Sequence, residues 1–454
     1  MASDAETLKH GTAMGVEHVH EGLPADFVDD EKRLPTVYIA QDGGSHNKSK
    51  EERAVVLKAD LVIIPLCALL YFVAYLDRNS IGNARVLGMQ ADLGLTSHQF
   101  YNILSLFFIG YLVFILPGNL LLRLLTPPIV LGGTALAFGA ILIGMSGAQN
   151  YSTVLALRIL LGSAQAFMQG LSLYSSLWYK RDEIATRGAL IYWAATISGA
   201  FSGLIAYGVG KNLTLERTGK EPWRWLFIIE GALAMVVGLA IVLLLPPFPD
   251  KIKAKHWLFK PAEIEIAKAR SASYNTTESK IIYKQVWKTL QEPKSWGFAV
   301  MNAGIGYGIS SVGQFLPTFI HALGLSVLRT QLFSVIPYAC AGTTIFIAII
   351  SDRFNKKGIF LVGTLSWTCI GYAILLSNVS VASKIVAACI ATSGLYPSII
   401  LLNSWLLANS AGYTKRATVW AMAEVFGPAF SILSSHVYDT PPRFVKGHSI
   451  ALGL

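Results

Sequence analysis

From Asp60 onward one feature recurs along this chain: apolar stretches of 17 or more residues, divided by short polar breaks. As a helix, such a stretch covers about 30 Å of hydrocarbon and satisfies its own backbone hydrogen bonds there. The stretches fall at 60–84, 98–122, 128–148, 151–177, 187–210, 225–246, 297–320, 331–350, 358–377, 383–408 and 415–437. A twelfth opens near His448 and has only Ser449 to Leu454 behind it, about 9 Å of helix, so an incomplete last helix is expected. The predicted class is an all-α integral membrane protein embedded in a lipid bilayer.

Composition fits that class. Charged residues make up 14% of the chain and hydrophobic ones 53%, whereas roughly a quarter charged is usual in soluble domains. In a soluble chain the net charge of +10 would point to nucleic acid. Here most Lys and Arg fall in the N-terminal tail and in the loops on the same side of the spans, which makes that side cytoplasmic. The charge is thus a topology signal, and no nucleic-acid partner is expected. The four cysteines, Cys67, Cys340, Cys369 and Cys389, sit inside apolar stretches with no paired spacing, so neither a disulfide framework nor a metal site is expected.

Four segments are expected. Residues 1–58 are polar, lack an apolar run of signal-peptide type, and read as a disordered cytoplasmic tail. Residues 59–247 hold the first six spans. A polar linker, 248–296, follows Pro246 and Pro247, and 297–454 hold the remaining spans. Six helices, a basic loop and a second set suggest two repeated halves. Trp178 and Arg187 around the fourth break are echoed by Trp405, Lys415 and Arg416 around the tenth.

Polar residues inside spans are costly in lipid and mark functional places. The first span carries Asp77, Arg78 and Asn79, with Tyr71, Tyr75 and Arg78 on one helical face. In the fourth span Arg158, Gly162, Gln165, Gln169, Ser172 and Ser176 fall within an arc of about 80°, forming one polar stripe. It faces either an aqueous path or an interhelical hydrogen-bond seam. Arg at its head can grip a carboxylate with two parallel hydrogen bonds. The seventh span reads Asn302, Gly304, Gly306, Tyr307, Gly308 and Gln314. That pattern suits a broken helix exposing backbone, or close packing through small residues. Glu424 lies nine residues past Lys415, about 13 Å into the eleventh span. Glu230 reads as structural, with Arg224 as its partner. Asp352 and Arg353 fall in a charged turn that either orients the chain or latches helices. Phosphate-cradling, HExxH and GxSxG motifs are absent from the sequence, so no enzyme activity and no cofactor are expected.

At these residues the chain resembles the major facilitator superfamily, and within it the anion:cation symporters of the fungal allantoate-permease type. The resemblance spans about 58–454 and rests on Tyr75 to Arg85, Ala156-Leu157-Arg158, Trp178-Tyr179-Lys180-Arg181, Ser351-Asp352-Arg353 and Thr414-Lys415-Arg416-Ala417. It implies a twelve-helix fold of two six-helix bundles, in a monomer of the plasma membrane. It also implies a secondary active transporter that imports a small organic carboxylate, vitamin-like or ureide-like, by proton symport with alternating access. Asp77 is then the proton-titrating carboxylate, and Arg78 and Arg158 are ligands of the substrate carboxylate. Tyr75, Gln165, Asn302 and Tyr307 complete the expected substrate site, Glu424 is a second candidate for proton coupling, and Asp352 with Arg353 form the latch. The chain departs from the family pattern at Gln165, where a second titrating Glu is usual, at the additional Glu424, and after the second span, where Arg123 to Pro128 lack the basic pair. A uniporter, or a nutrient sensor on the same fold, stays open as an alternative.

Overall fold

A computed structural model describes residues 49–179, 181–253, 256–274, 283–344, 346–354, 356–410, 413–438 and 444–454. The expected tail to residue 48 lies outside them. Each of the eleven apolar stretches holds a helix among the described residues: α1 Lys50–Val86, α2 Ser97–Leu124, α3 Pro127–Ser146, α4 Tyr151–Ala166, α5 Arg181–Asn212, α6 Pro222–Leu244, α7 Pro293–His321, α8 Val327–Thr344, α9 Lys357–Leu376, α10 Val381–Asn409 and α11 Tyr413–Val437. α4 runs on through a 3₁₀ turn, Phe167–Gln169, into Gly170–Trp178. Phe346–Phe354 follows α8, and a short α12, Val445–Gly453, comes last. Ten of the described helices are long and apolar enough to cross a membrane. The 29-residue α7 is long enough too, but buries Asn302, Ser310, Ser311 and Gln314.

The starts of these helices are written locally. Thr96 and Gln99 form a reciprocal capping box on α2, and the Asn150 side chain accepts from the Thr153 N–H of α4. Pro127, Pro222 and Pro293 occupy first-turn positions of α3, α6 and α7, where a missing N–H costs nothing. That is why α7 opens four residues before the expected 297. α1 begins at Lys50, inside the segment expected to be tail, because Glu51 and Glu52 suit its first turn and Val55 and Val56 are buried.

Within the first half α1 packs on α5, α2 on α4 and α3 on α6. Within the second, α7 packs on α11, α9 on α10 and α8 on α10. The halves meet through α1 on α7, α2 on α11 and α5 on α8. Moving each member six helices along converts the α2–α11 contact into the α8–α5 contact. The seam therefore has the two-fold character of a repeated architecture.

The linker carries two helices: Pro261–Tyr274 docks under the first half, and Tyr283–Gln291 packs on α11 and α7 of the second. Phe259 stacks on Trp178 with ring centres 5.4 Å apart, and Lys58 Nζ donates to Glu263 Oε1 at 2.8 Å. The Glu263 carboxyl is held below its usual range, chiefly by the Lys58 ammonium and then by the Lys260 backbone N–H. A depressed carboxylate contributes stability above its unfolded-state pKa and loses it as pH falls through the folded value. Linker docking is therefore expected to loosen on the acid side. Arg270 pairs with Glu52 and reaches Glu183 at 2.7 Å, with Arg270 and Glu183 both buried. Removing one partner of a buried pair costs about 3–5 kcal/mol. Arg270→Ala is accordingly expected to lower the melting temperature of the detergent-purified protein by several degrees. Adding Glu183→Gln should restore part of the loss, and an unchanged melting curve would show that this pair does not hold the linker.

Candidate functional site

Between the two halves lies a cavity of about 880 Å³, counting its open mouth. α1 lines it with Tyr71, Tyr75, Arg78 and Asn79; α2 adds Phe108 and Tyr111, α4 Met168 and Gln169, and α5 Tyr192. From the second half come Asn302, Gly306, Ser310, Gly313 and Gln314 of α7, Asn403 of α10, and Glu424, Gly427 and Ser431 of α11. Mostly aromatic and amide walls with few charges are what a small-molecule site offers.

Arg78 is the cation on the wall. Its guanidinium carbon lies 4.9 Å from the ring centres of Tyr75 and Tyr111 and 5.3 Å from that of Phe107, a three-sided aromatic box. Gln169 of the 3₁₀ turn donates to the Tyr111 hydroxyl. Arg78 Nε donates to Gln165 Oε1 at 3.0 Å, and Gln165 Nε2 donates to Asp77 Oδ2 at 3.0 Å. This amide can point only one way, because a guanidinium only donates and a carboxylate only accepts. Arg158 Nη1 stands 3.8 Å from Asp77 Oδ1. The four residues form one row: Arg78 at the cavity, Gln165, Asp77, then Arg158. Asp77 and Gln165 are 0% exposed and Arg158 is 2% exposed. Arg78 Nη2 has no hydrogen-bond partner among the described residues. It is a buried spare donor on a side chain that lines the cavity.

The expected site residues are thus sorted into wall and interior. Arg78, Tyr75, Asn302 and Glu424 line the cavity. Glu424 lies on the α11 wall, within electrostatic reach of Arg78. Gln165 and Arg158 are not on the wall, and Asp77 stands between Arg158 and Gln165, so the structure separates the two arginines expected to hold one carboxylate. Tyr307 is also apart: it is fully buried, and its hydroxyl donates to the Gly447 carbonyl at 2.8 Å. Asn302, Gly306, Ser310 and Gly313 repeat at helical spacing along α7 and take the cavity face, which turns Tyr307 toward α12. α7 is continuous across its glycines and not broken, and the glycines serve close packing: a Cβ on Gly306 would meet the backbone of Gly427. Arg224 pairs with Asp92 at 2.8 Å and not with Glu230. Asp352 and Arg353 fall on Phe346–Phe354, and their side chains lie outside the described ones. Tyr192 and Asn403 join the wall without any mark in the sequence, as lone polar residues in apolar helices; Asn403 Nδ2 donates to the Tyr192 hydroxyl at 3.4 Å.

The halves touch closely at the end where α1 finishes and α2 begins. Gln331 Nε2 donates to the Asn83 carbonyl at 3.3 Å, and the Tyr101 hydroxyl donates to the Tyr438 carbonyl at 3.0 Å. A Cβ on Gly82 would strike the Gln314 carbonyl, so only glycine permits this approach.

Paired helical halves around a central polar cavity define a membrane carrier. The profile of the Major Facilitator Superfamily matches residues 67–435, and the chain belongs to that superfamily. It is 31% identical over 428 residues to the high-affinity nicotinic acid transporter of Saccharomyces cerevisiae, covering 93% of this chain and 79% of that one. Solved structures show the same fold at 14% identity. A bacterial homologue of the human lysosomal transporter Spinster, inward-facing and unoccupied, gives a TM-score of 0.65 over 83% of this chain and 81% of that one. A D-xylose-proton symporter gives 0.64 over 87% and 95%. The protein is a multi-pass membrane transporter, and the resemblance read from Tyr75 to Arg85 and the other motifs holds.

Proposed function

We propose that this chain imports a small aromatic carboxylate of the nicotinate kind together with protons. The observation that carries the reading is Arg78: a guanidinium in an aromatic box, at the cavity wall, with one donor unspent. The tyrosines that line the cavity offer faces to an aromatic ring, and its carboxylate meets the guanidinium. The yeast relative's nicotinic acid is a molecule of that shape. Arg158 then acts through Asp77 and Gln165 and does not touch the substrate. When an anion takes up Arg78, Gln165 passes the change to Asp77. Protonation of Asp77 removes the negative charge that holds Gln165 and Arg158 in place. Glu424 is the second carboxylate within reach of the same cation.

The proposed setting is the plasma membrane with the N-terminus in the cytoplasm. On that orientation the closed α1–α2 end is extracellular and the cavity belongs to the inward-facing state. Uptake of labelled nicotinate into cells expressing the chain tests the reading. Uptake should rise at acid external pH and be blocked by other small aromatic carboxylates but not by nicotinamide, which has the ring without the charge. Equal block by nicotinamide would refute the carboxylate site, and uptake indifferent to pH would favour a uniporter. A second expected result concerns the closed end. Gly82→Leu should hold the halves apart there and cut uptake at least tenfold at normal membrane abundance. Undiminished uptake would mean that this contact is not needed in the cycle.

A further inference from the structure

Behind Asp77 lies a second buried carboxylate that the mechanism above leaves unused. Glu230 of α6 is 1% exposed, and Ser80 and Ser202 beside it are 0% exposed. Ser80 Oγ stands at hydrogen-bond distance from three oxygens: the Leu76 carbonyl at 2.8 Å, Ser202 Oγ at 2.9 Å, and Glu230 Oε1. Each contact requires one proton. The two serine hydroxyls supply two, and a carbonyl supplies none. Asn83 Nδ2 donates to Ser202 Oγ at 2.6 Å, so the Ser202 hydroxyl proton is free to turn toward Ser80. With Ser80 donating to Leu76 and Ser202 donating to Ser80, the remaining contact is completed by a proton on Glu230.

The placement of the nearby charges leads to the same place. Asp77, Glu230 and Arg158 are all buried, and Arg158 lies within electrostatic reach of both carboxylates. Arg158 stands 3.8 Å from Asp77, and Glu230 forms no ion pair among the described residues, so an ionised Glu230 is a buried charge without a close partner, which is expensive. The next cation is Arg78 of α1, on the far side of Asp77 and joined to it through Gln165. Of the elements packed on α6, α1 presents Asp77, α5 presents Ser202, and α3 carries no charged residue, while Arg158 comes from α4.

We propose that Glu230 is a proton-binding site of this carrier, holding a proton in this conformation and competing with Asp77 for Arg158 once it gives the proton up. The step balances simply: a proton from hydronium in the cavity forms an O–H bond on the carboxylate and leaves water, and release reverses it. It places the second titrating carboxylate on α6, behind the row that ends at Arg158. The inference goes beyond the transport reading and does not depend on what the cavity carries.

Infrared difference spectroscopy on the purified full chain in lipid, titrated with pH, tests it without any substrate. Wild type should show the C=O band of a protonated buried carboxyl at neutral pH, and Glu230→Gln should lose it. Asp77→Asn should keep it, and Ser80→Ala, which removes the acceptor of the proton, should shift it. Glu230→Gln should fold as well as wild type, because its amide N–H₂ replaces the O–H toward Ser80. Absence of the band in wild type, its survival in Glu230→Gln, its loss in Asp77→Asn, an unshifted band in Ser80→Ala, or misfolding of Glu230→Gln would each overturn the assignment.

Discussion

Arg78→Ala should reduce nicotinate uptake about 100-fold while the protein reaches the membrane in normal amount. A charge-assisted hydrogen bond in a site shielded from water is worth up to about 3 kcal/mol, and each 1.4 kcal/mol is a factor of ten. Arg78 contributes little to holding the fold, since its partners are the faces of Tyr75, Phe107 and Tyr111 and one amide oxygen of Gln165. The loss should therefore appear in transport and not in abundance. Arg78→Lys separates charge from shape. It keeps the cation over the rings but loses the planar fork and the Nε contact to Gln165, so uptake should fall to an intermediate value. Uptake by Arg78→Ala within twofold of wild type, measured against surface amount, would remove Arg78 from the substrate site.

Asp77→Asn should abolish accumulation against a gradient and yet leave exchange of substrate across the membrane. The amide is a fixed stand-in for protonated Asp77: its oxygen still accepts from Gln165 Nε2, and the carrier can still turn over. What disappears is the group that exchanges a proton. Accumulation then falls to equality of inside and outside concentrations, while counterflow of labelled against unlabelled nicotinate continues. Glu424→Gln tests the rival carboxylate. It should leave the pH dependence of accumulation in place. Should Asp77→Asn still concentrate substrate along an imposed proton gradient while Glu424→Gln does not, the coupling role passes to Glu424.

The membrane helices were legible because a span must be apolar for its full length, and no local turn chemistry competes with that signal. Their starts shifted by several residues where a proline or an acidic first turn extends a helix beyond the apolar run, as at Pro293 and Lys50. The polar stripe of α4 was also legible, but its destination was not. Arg158 and Gln165 turn inward to Asp77, while Gln169, beyond them in the 3₁₀ turn, reaches the cavity. One helical face thus serves an interior pair and a cavity wall, a division that depends on where α1 crosses it. Tyr307 was misplaced for a related reason: a run rich in Gly and polar residues gives no hydrophobic phase from which to choose a face. Arg224 was assigned to Glu230 by nearness along α6, whereas Asp92 meets it from the end of another helix. Pairs of that kind, distant in sequence, leave no spacing to read.

The most direct test of the account places the purified chain in sealed liposomes with the interior buffered more alkaline than the outside and the membrane potential clamped. Labelled nicotinate should accumulate inside the wild-type vesicles and leak out when a protonophore collapses the gradient. It should not accumulate in vesicles bearing Arg78→Ala. Wild-type vesicles that never rise above the external concentration, or Arg78→Ala vesicles that fill as wild type does, would contradict a proton-driven carrier that holds its carboxylate on Arg78.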